Sequence, residues 1–380
     1  DFIAQGSILA VASILVRVMG MIYRIPMTAI IGDKGNGFYS YAYSVYTILL
    51  LLSSYSLPLA VSKMVSAKAQ LGQWRNVKRV FICAIAFAIG IGTTFGLIVL
   101  IGAQFFTRVF FHSELAAIAL RFMAPTILIM ALLGVFRGFF QGLQNTLPTA
   151  VSQIVEGLIN AIMSVVFAYF LFDFGHGMDA ASGTTDLGYA WGAAGGAIGT
   201  GAGALAGLIF CFILFVAYRK ILAVNISRDK TGTQQEYGDI FRLMLSIALP
   251  VILSTALYNL IELVDGSLFN NIMASKGMED VKDSMWGAYN AKALLLVHIP
   301  VSISSAMAVS LVPTLTAAYA LGDEQTAKSK VHAILRFISI LAFPSAVGLL
   351  VLANPIIKTL FSGDTSAAST YLQVVCPAVI

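Results

Sequence analysis

The chain has 380 residues, 58% of them hydrophobic and 11% charged, against roughly 25% charged in soluble domains. Many separate apolar stretches of roughly 20 residues or more make it an all-α polytopic membrane protein rather than a soluble domain. The formal net charge of +5 then bears on orientation in a bilayer and is not a footprint for nucleic acid.

In chain order, nine full spans and part of a tenth are drawn, at 3–31, 38–66, 80–104, 115–138, 147–172, 189–218, 240–272, 286–320, 330–357 and 368–380. The first carries Arg17 in its middle and Arg24 seven residues on, so both guanidinium groups leave the same helix face. At 1.5 Å per residue Arg17 lies about 20 Å from the start of the span. A deep Arg faces a bundle interior, a water-filled cavity or an anionic partner. Arg24, nearer the other end, is able to snorkel towards headgroups. The chain opens on Asp1 without a Met, so residues before it are expected, and no cleavable signal peptide is recognised.

The polar connections alternate in charge. Connections 67–79, 219–239 and 321–329 hold Lys68, Arg75, Lys78, Arg79, Arg219, Lys220, Arg228, Lys230 and Lys328. The opposite set holds only Lys34, Arg108, Lys276, Lys282 and Lys358. The basic set is expected in the cytoplasm, which puts the N-terminus inside and Asp173, Asp179 and Asp186 outside.

Span 5 places Gln153, Glu156 and Asn160 on one polar stripe, as candidate substrate contacts. Span 7 repeats the pattern with Asn259, Glu262 and Asp265. Two carboxylates three residues apart repel, so one should hold its proton or share a cation. Two roles fit: a Na⁺ or H⁺ coupling site or switch, or neutralisation of Arg17 or Arg24 across the bundle. Lys292 in span 8 adds a further candidate cation, or snorkels outward, and Lys63 reads as an interfacial anchor. The run GAAGGAIGTGAGALAG at 192–207 follows a loop, not a strand, and its small-residue spacing indicates close helix packing rather than a dinucleotide site. Cys83, Cys211 and Cys376 are far apart in apolar spans and read as core residues, and the histidines form no ligand cluster. No P-loop, catalytic triad or metal motif emerges, so neither a motor nor another enzyme is expected and no cofactor is required beyond a coupling ion.

Self-comparison suggests a duplication. Residues 58–80 resemble 306–331, 99–110 resemble 351–361, and Ala124-Pro125 falls opposite Cys376-Pro377, at an offset near 250. A six-helix unit repeated in parallel is a transporter pattern. It divides the chain into an N-terminal lobe, 1–238, and an incomplete C-terminal lobe of about four helices, 239–380, with at least two further helices expected.

The segment RVMGMIYRIPMTAIIGDKGNGFYSYAYSVYTILLLLSSYSLPLAVSKMVS resembles the opening of the stage V sporulation protein B group of polysaccharide exporters. RGFFQGLQNTLPTAVSQIVEGL at 137–158 and the tail FPSAVGLLVLANPIIKTLFSGD are similar to the same group, so the resemblance covers essentially the whole chain. That group is related to the MurJ lipid II flippases and, more remotely, to multidrug and toxin extrusion (MATE) transporters of the MOP superfamily. The resemblance implies two six-helix lobes in a V, the second truncated here. It also implies flipping of an undecaprenyl-diphosphate-linked sugar, lipid II first among the candidates, from the inner to the outer leaflet of a plasma membrane. In the flippases, cavity arginines on the first helix bind the diphosphate; Arg24 matches that pattern and Arg17 does so with a one-residue difference in spacing. Their helix 2 arginine falls in the apolar run Leu49 to Leu52 here, and their helix 8 arginine lies near Lys292 but in another register. A helix 7 carboxylate, Asp265 or Glu262, corresponds to part of a Na⁺ site. Membrane lipids and cell-wall synthesis proteins are the implied partners, with sporulation or vegetative growth as the setting. The alternatives are a cation-coupled multidrug exporter and a non-transporting cell-wall scaffold; the connections 173–188 and 219–239 are too short for the catalytic domain a glycosyltransferase needs.

Overall fold

A computed structural model describes residues 2–54, 56–183, 185–305, 323–362 and 365–380. All regular structure among them is helical, as lipid demands of a chain whose backbone groups must find partners within their own segment. Helices α1 (Phe2–Ser54), α2 (Leu57–Gln70), α3 (Trp74–Phe111), α4 (Ala116–Gly142), α5 (Leu147–Ser182), α6 (Leu187–Ser227) and α7 (Tyr237–Ser275) follow one another closely. Then α8 (Glu279–Ala288) runs through a π-helical turn (Tyr289–Leu294) into α9, described over 295–305. Helices α10 (Glu324–Val351), α11 (Ala353–Leu360) and α12 (Ser366–Val375) complete the described chain. Among the described residues, seven helical stretches are long and apolar enough to cross a membrane.

The largest departure from the expected spans is at the start. At 53 residues, α1 is about 80 Å long, far more than one hydrocarbon core, so it is two spans joined at a bend. Gly32 makes the bend with φ 63° and ψ −176°, a conformation that suits a residue without Cβ. The segment GDKGNG is therefore no loop: only its first glycine leaves the helix, and Asp33 already belongs to the next span. The helix is interrupted at Ser56, inside the expected span 38–66, where α2 restarts with Pro58 in its first turn. Proline is well placed there because that N–H lacks a helical partner anyway. In the second half, the expected span 330–357 breaks at Leu352 into α10 and α11. The repeat partner at 306–331 and the later part of span 286–320 fall mostly on 306–322, outside the described residues.

Helices α1 to α6 pack around α4, whose Leu120, Met123, Ile127 and Leu133 are fully buried. The glycine run of α6 is the seam with α5. A Cβ on Gly195 would overlap the backbone at Phe167 and Ala168, one on Gly199 that of Ser164, and one on Gly203 that of Glu156. Ile240, Met244, Ala248 and Ile252 of α7 join the cluster formed by Val77, Val80, Ala84 and Ala88 of α3. A separate core unites α8 and α9 with α10 to α12 through Leu295, Leu296, Ala342, Ala346, Ile357 and Leu372, with Met21 and Ile25 of α1 on its edge. The three cysteines are free and buried.

Polar connections at the two ends are tied down. At the α3 start, Asp229 accepts the Arg75 N–H at 2.9 Å and the Thr231 hydroxyl and N–H. Those donors, with the Arg75 N–H first, hold its carboxyl below the usual range. At the opposite end, Lys282 donates to the carbonyls of Phe111 (3.0 Å) and His112 (2.8 Å), and Lys34 pairs with Asp186 at 2.7 Å. Here α1 and α8 touch backbone to backbone, for a Cβ on Gly37 would overlap the Asp283 carbonyl and one on Gly287 that of Asp33.

Candidate functional site

Arg17 and Arg24 line one cavity of about 280 Å³, together with Tyr43, Asn160 of α5, and His298 and Ser302 of α9. The seven-residue spacing delivers both to it, as two helical turns require. Arg24 is half-buried and lies within electrostatic reach of Tyr23, Tyr39 and Tyr43. Among the described residues, the ion pairs join other groups, and neither arginine has a carboxylate within 4.0 Å. Two cationic forks facing one cavity suit phosphate oxygens, which a guanidinium grips bidentately.

The polar stripe of α5 divides. Asn160 reaches the arginine cavity and accepts the Ser164 hydroxyl at 2.8 Å. Glu156 is held instead by Arg137 of α4, Nη2 to Oε2 at 2.6 Å, while Arg137 Nε donates to Ser152 Oγ at 2.9 Å. Gln153 lines neither this cavity nor the next, and its Oε1 is buried without a partner among the described residues. Glu156 therefore stabilises the α4–α5 contact, a role sequence reasoning missed because Arg137 lies at the expected end of span 4, where a cation reads as an interfacial anchor.

Lys292 also departs from the expected role. Its side chain is 1% exposed and pairs with Asp33 just after the Gly32 bend. It does not line the arginine cavity. His298, six residues on, does so in its place; a lone His in an apolar run gave no sign of it.

Asn259, Glu262 and Asp265 share one face of α7, as their spacing requires, and line a second cavity of about 550 Å³ with Phe269, Trp286, Tyr289 and Tyr371. The two cavities lie near one another, since Glu262 of this one is within electrostatic reach of Arg24 of the other. Among the described residues, however, neither Glu262 nor Asp265 closes onto an arginine. Tyr43 interacts electrostatically with both Arg24 and Glu262. Among the described residues no group of three or more His, Cys, Asp or Glu side chains is arranged to hold a metal.

A family model described as polysaccharide biosynthesis protein matches residues 2–318, and a second of the same description matches 279–368. The chain belongs to the polysaccharide biosynthesis protein family. Within it, the chain is 26% identical over 371 residues to the lipid II flippase MurJ of Bacillus subtilis (strain 168), covering 94% of this chain and 65% of that one. It is 24% identical over 381 residues to the stage V sporulation protein B of the same organism, covering 99% and 69%. It thus spans about two thirds of the length of these relatives. Among solved structures, a multidrug resistance MATE family transporter of the MOP superfamily in an inward-facing conformation matches with TM-score 0.72 at 13% identity, covering 95% of this chain and 76% of that one. A MOP superfamily transporter from Pyrococcus furiosus matches with TM-score 0.62 at 14% identity, covering 99% and 78%. The family member described here therefore has the MATE-like fold and is a multi-pass membrane protein.

Proposed function

We propose that the protein is a flippase, moving an undecaprenyl-diphosphate-linked sugar, lipid II first among the candidates, from the inner to the outer leaflet by alternating access. The observation that carries this is the pair Arg17 and Arg24, facing one cavity with no carboxylate at ion-pair distance among the described residues. An uncompensated cationic cavity inside a membrane protein is expensive unless an anion occupies it in use. A diphosphate supplies about two negative charges in a form that two guanidinium forks match. No covalent chemistry is needed, only different affinities in the two facing states. At roughly 2.3 kcal/mol per charge per 100 mV, a potential negative inside also favours outward passage of an anion.

In this reading the lobes are 1–238 and 239–380, and the end of the bundle that carries α8 faces outward, with the N-terminus in the cytoplasm. The close α1–α8 contact then keeps the cavities shut from outside. Na⁺ or H⁺ is the coupling ion, taken up at Glu262 or Asp265. Cell-wall synthesis proteins are the partners that consume the flipped lipid.

The test is leaflet accessibility of lipid II in cells depleted of the protein and complemented with wild type or Arg24→Ala at matched expression. Wild type restores outer-leaflet lipid II and the variant does not; full complementation by Arg24→Ala would overturn the diphosphate role. A multidrug exporter, the competing reading, would instead protect such cells against lipophilic cations regardless of Arg24.

A further inference from the structure

We propose that His298 is a proton-dependent ligand of the diphosphate: it takes up a proton when the headgroup enters the arginine cavity, so the site binds more tightly as pH falls. The proposal rests on the flippase reading for the occupant of that cavity, and it concerns a group apart from the α7 carboxylates.

His298 and Ser302 are four residues apart on α9 and so share a face, which lines the cavity of about 280 Å³ together with Arg17 and Arg24 of α1. A histidine in an apolar helix ordinarily fills a core and satisfies a hydrogen bond there. His298 does neither. It is exposed, and it makes no hydrogen bond or ion pair among the described residues. The π-helical turn Tyr289–Leu294 just upstream sets the direction in which it leaves the helix, and such turns recur at functional sites.

Both arginines act on His298 electrostatically. A third positive charge beside two unpaired guanidinium groups is unfavourable, and a dianion lying among them cancels that repulsion. Hydrogen bonding points the same way. A guanidinium has donors and no acceptor. Asn160 has given its side-chain oxygen to the Ser164 hydroxyl, which leaves its amide N–H groups for the cavity, and Ser302 has a hydroxyl to donate. A neutral imidazole, by contrast, carries a lone pair on one nitrogen, whereas the imidazolium donates from both. Protonation therefore turns the one edge that mismatches a phosphate into a charge-assisted donor.

The other titratable groups lining this cavity are Tyr23 and Tyr43, whose hydroxyls ordinarily ionise at about pH 10. Among the described residues, α10 to α12 bring no charged group to it. Glu262 of α7 acts on Arg24 from the neighbouring cavity, so the experiment has to separate it from His298.

The experiment uses the full chain in lipid nanodiscs. The probe is a short-chain prenyl diphosphate esterified to N-acetylglucosamine, because neither phosphate of such a diester titrates near neutral pH and any proton taken up belongs to the protein. Calorimetry in two buffers of different ionisation enthalpy counts that proton. Binding should take up about half a proton near pH 6.5, the ordinary midpoint of an imidazole. Because the bound state holds the extra proton, affinity should be on the order of tenfold higher at about pH 5.5 than at about pH 7.5. His298→Gln should abolish the uptake and flatten the profile. His298→Arg, with a fixed charge, should also flatten it while binding at about pH 7.5 as tightly as the wild type does at about pH 5.5, which a misfolded variant cannot do. Affinity that ignores pH and takes up no proton, with dependence on Arg24 intact, overturns the proposal and leaves the diphosphate reading standing. Uptake that survives His298→Gln and is lost in Glu262→Gln assigns the proton to α7 and overturns it as well. Binding that is the same in Arg24→Ala at every pH overturns the diphosphate assignment itself.

Discussion

Lys292 Nζ lies 2.8 and 2.9 Å from the two carboxylate oxygens of Asp33, across 259 residues of chain. The ammonium is buried and the carboxylate partly so, with side-chain exposures of 1% and 22%. Removing one partner of a buried pair leaves the other uncompensated, which costs about 3 kcal/mol or more. Lys292→Met should therefore lower the thermal stability of the purified protein clearly. Adding Asp33→Asn to it should recover most of the loss, because the charge that was stranded is gone. A double variant no better than the single one would mean that the pair is not what joins α1 to the π-helical turn.

The Arg137–Glu156 pair makes the opposite prediction about substrate. Glu156→Gln gives up a charge-assisted hydrogen bond worth about 2 kcal/mol, so thermal unfolding in detergent should shift down. Arg137→Ala should shift it further, since it also leaves Ser152 Oγ without the 2.9 Å donor. Polyprenyl-diphosphate affinity should stay within about twofold for Glu156→Gln, as the carboxylate does not line the arginine cavity.

Asp283 gives the α8 end a pH response. Burial pushes its carboxyl up to about 6, against the opposing pull of Lys282 and Lys34. A carboxyl raised above its ordinary 3.8 binds more protons folded than unfolded between about pH 4 and pH 6. Stability should therefore rise as pH falls from 7 towards 5, and protection of α8 amides from hydrogen exchange should rise with it. Asp283→Asn should flatten that part of the profile.

If Asp265 takes up the coupling ion, Asp265→Asn should leave transport independent of Na⁺ and of the pH gradient. Transport assayed in proteoliposomes with imposed ion gradients checks this, and unchanged ion dependence would move coupling elsewhere.

The sequence exposed the helical membrane plan because lipid leaves a long apolar segment few alternatives. It also put Arg17 and Arg24 on one face, and Asn259, Glu262 and Asp265 on another, because helical spacing alone decides which side chains share a direction. What lay beyond it were partners distant in sequence. Nothing near Glu156 announces Arg137, and nothing near Lys292 announces Asp33. The break at Ser56 was hidden by its apolar surroundings, while GDKGNG looked like a loop although only Gly32 departs from the helix. The aromatic lining was illegible for the same reason: Phe269, the neighbouring Trp286 and Tyr289, and Tyr371 come from three stretches that meet only on folding.

The π-helical turn Tyr289–Leu294 changes how this stretch of chain is to be compared with its relatives. Such a turn usually marks one residue more than a regular helix would hold, and each added residue rotates everything after it by about 100°. Upstream of it Trp286 serves the aromatic cavity, within it Lys292 turns to Asp33, and beyond it His298 serves the arginine cavity. The turn acts as a phase shifter between three neighbourhoods. Deleting Ala291 would therefore leave the helix intact and yet rotate His298 and Ser302 out of step with Arg17 and Arg24. A gapless alignment through this stretch would pair Lys292 with residues that look elsewhere.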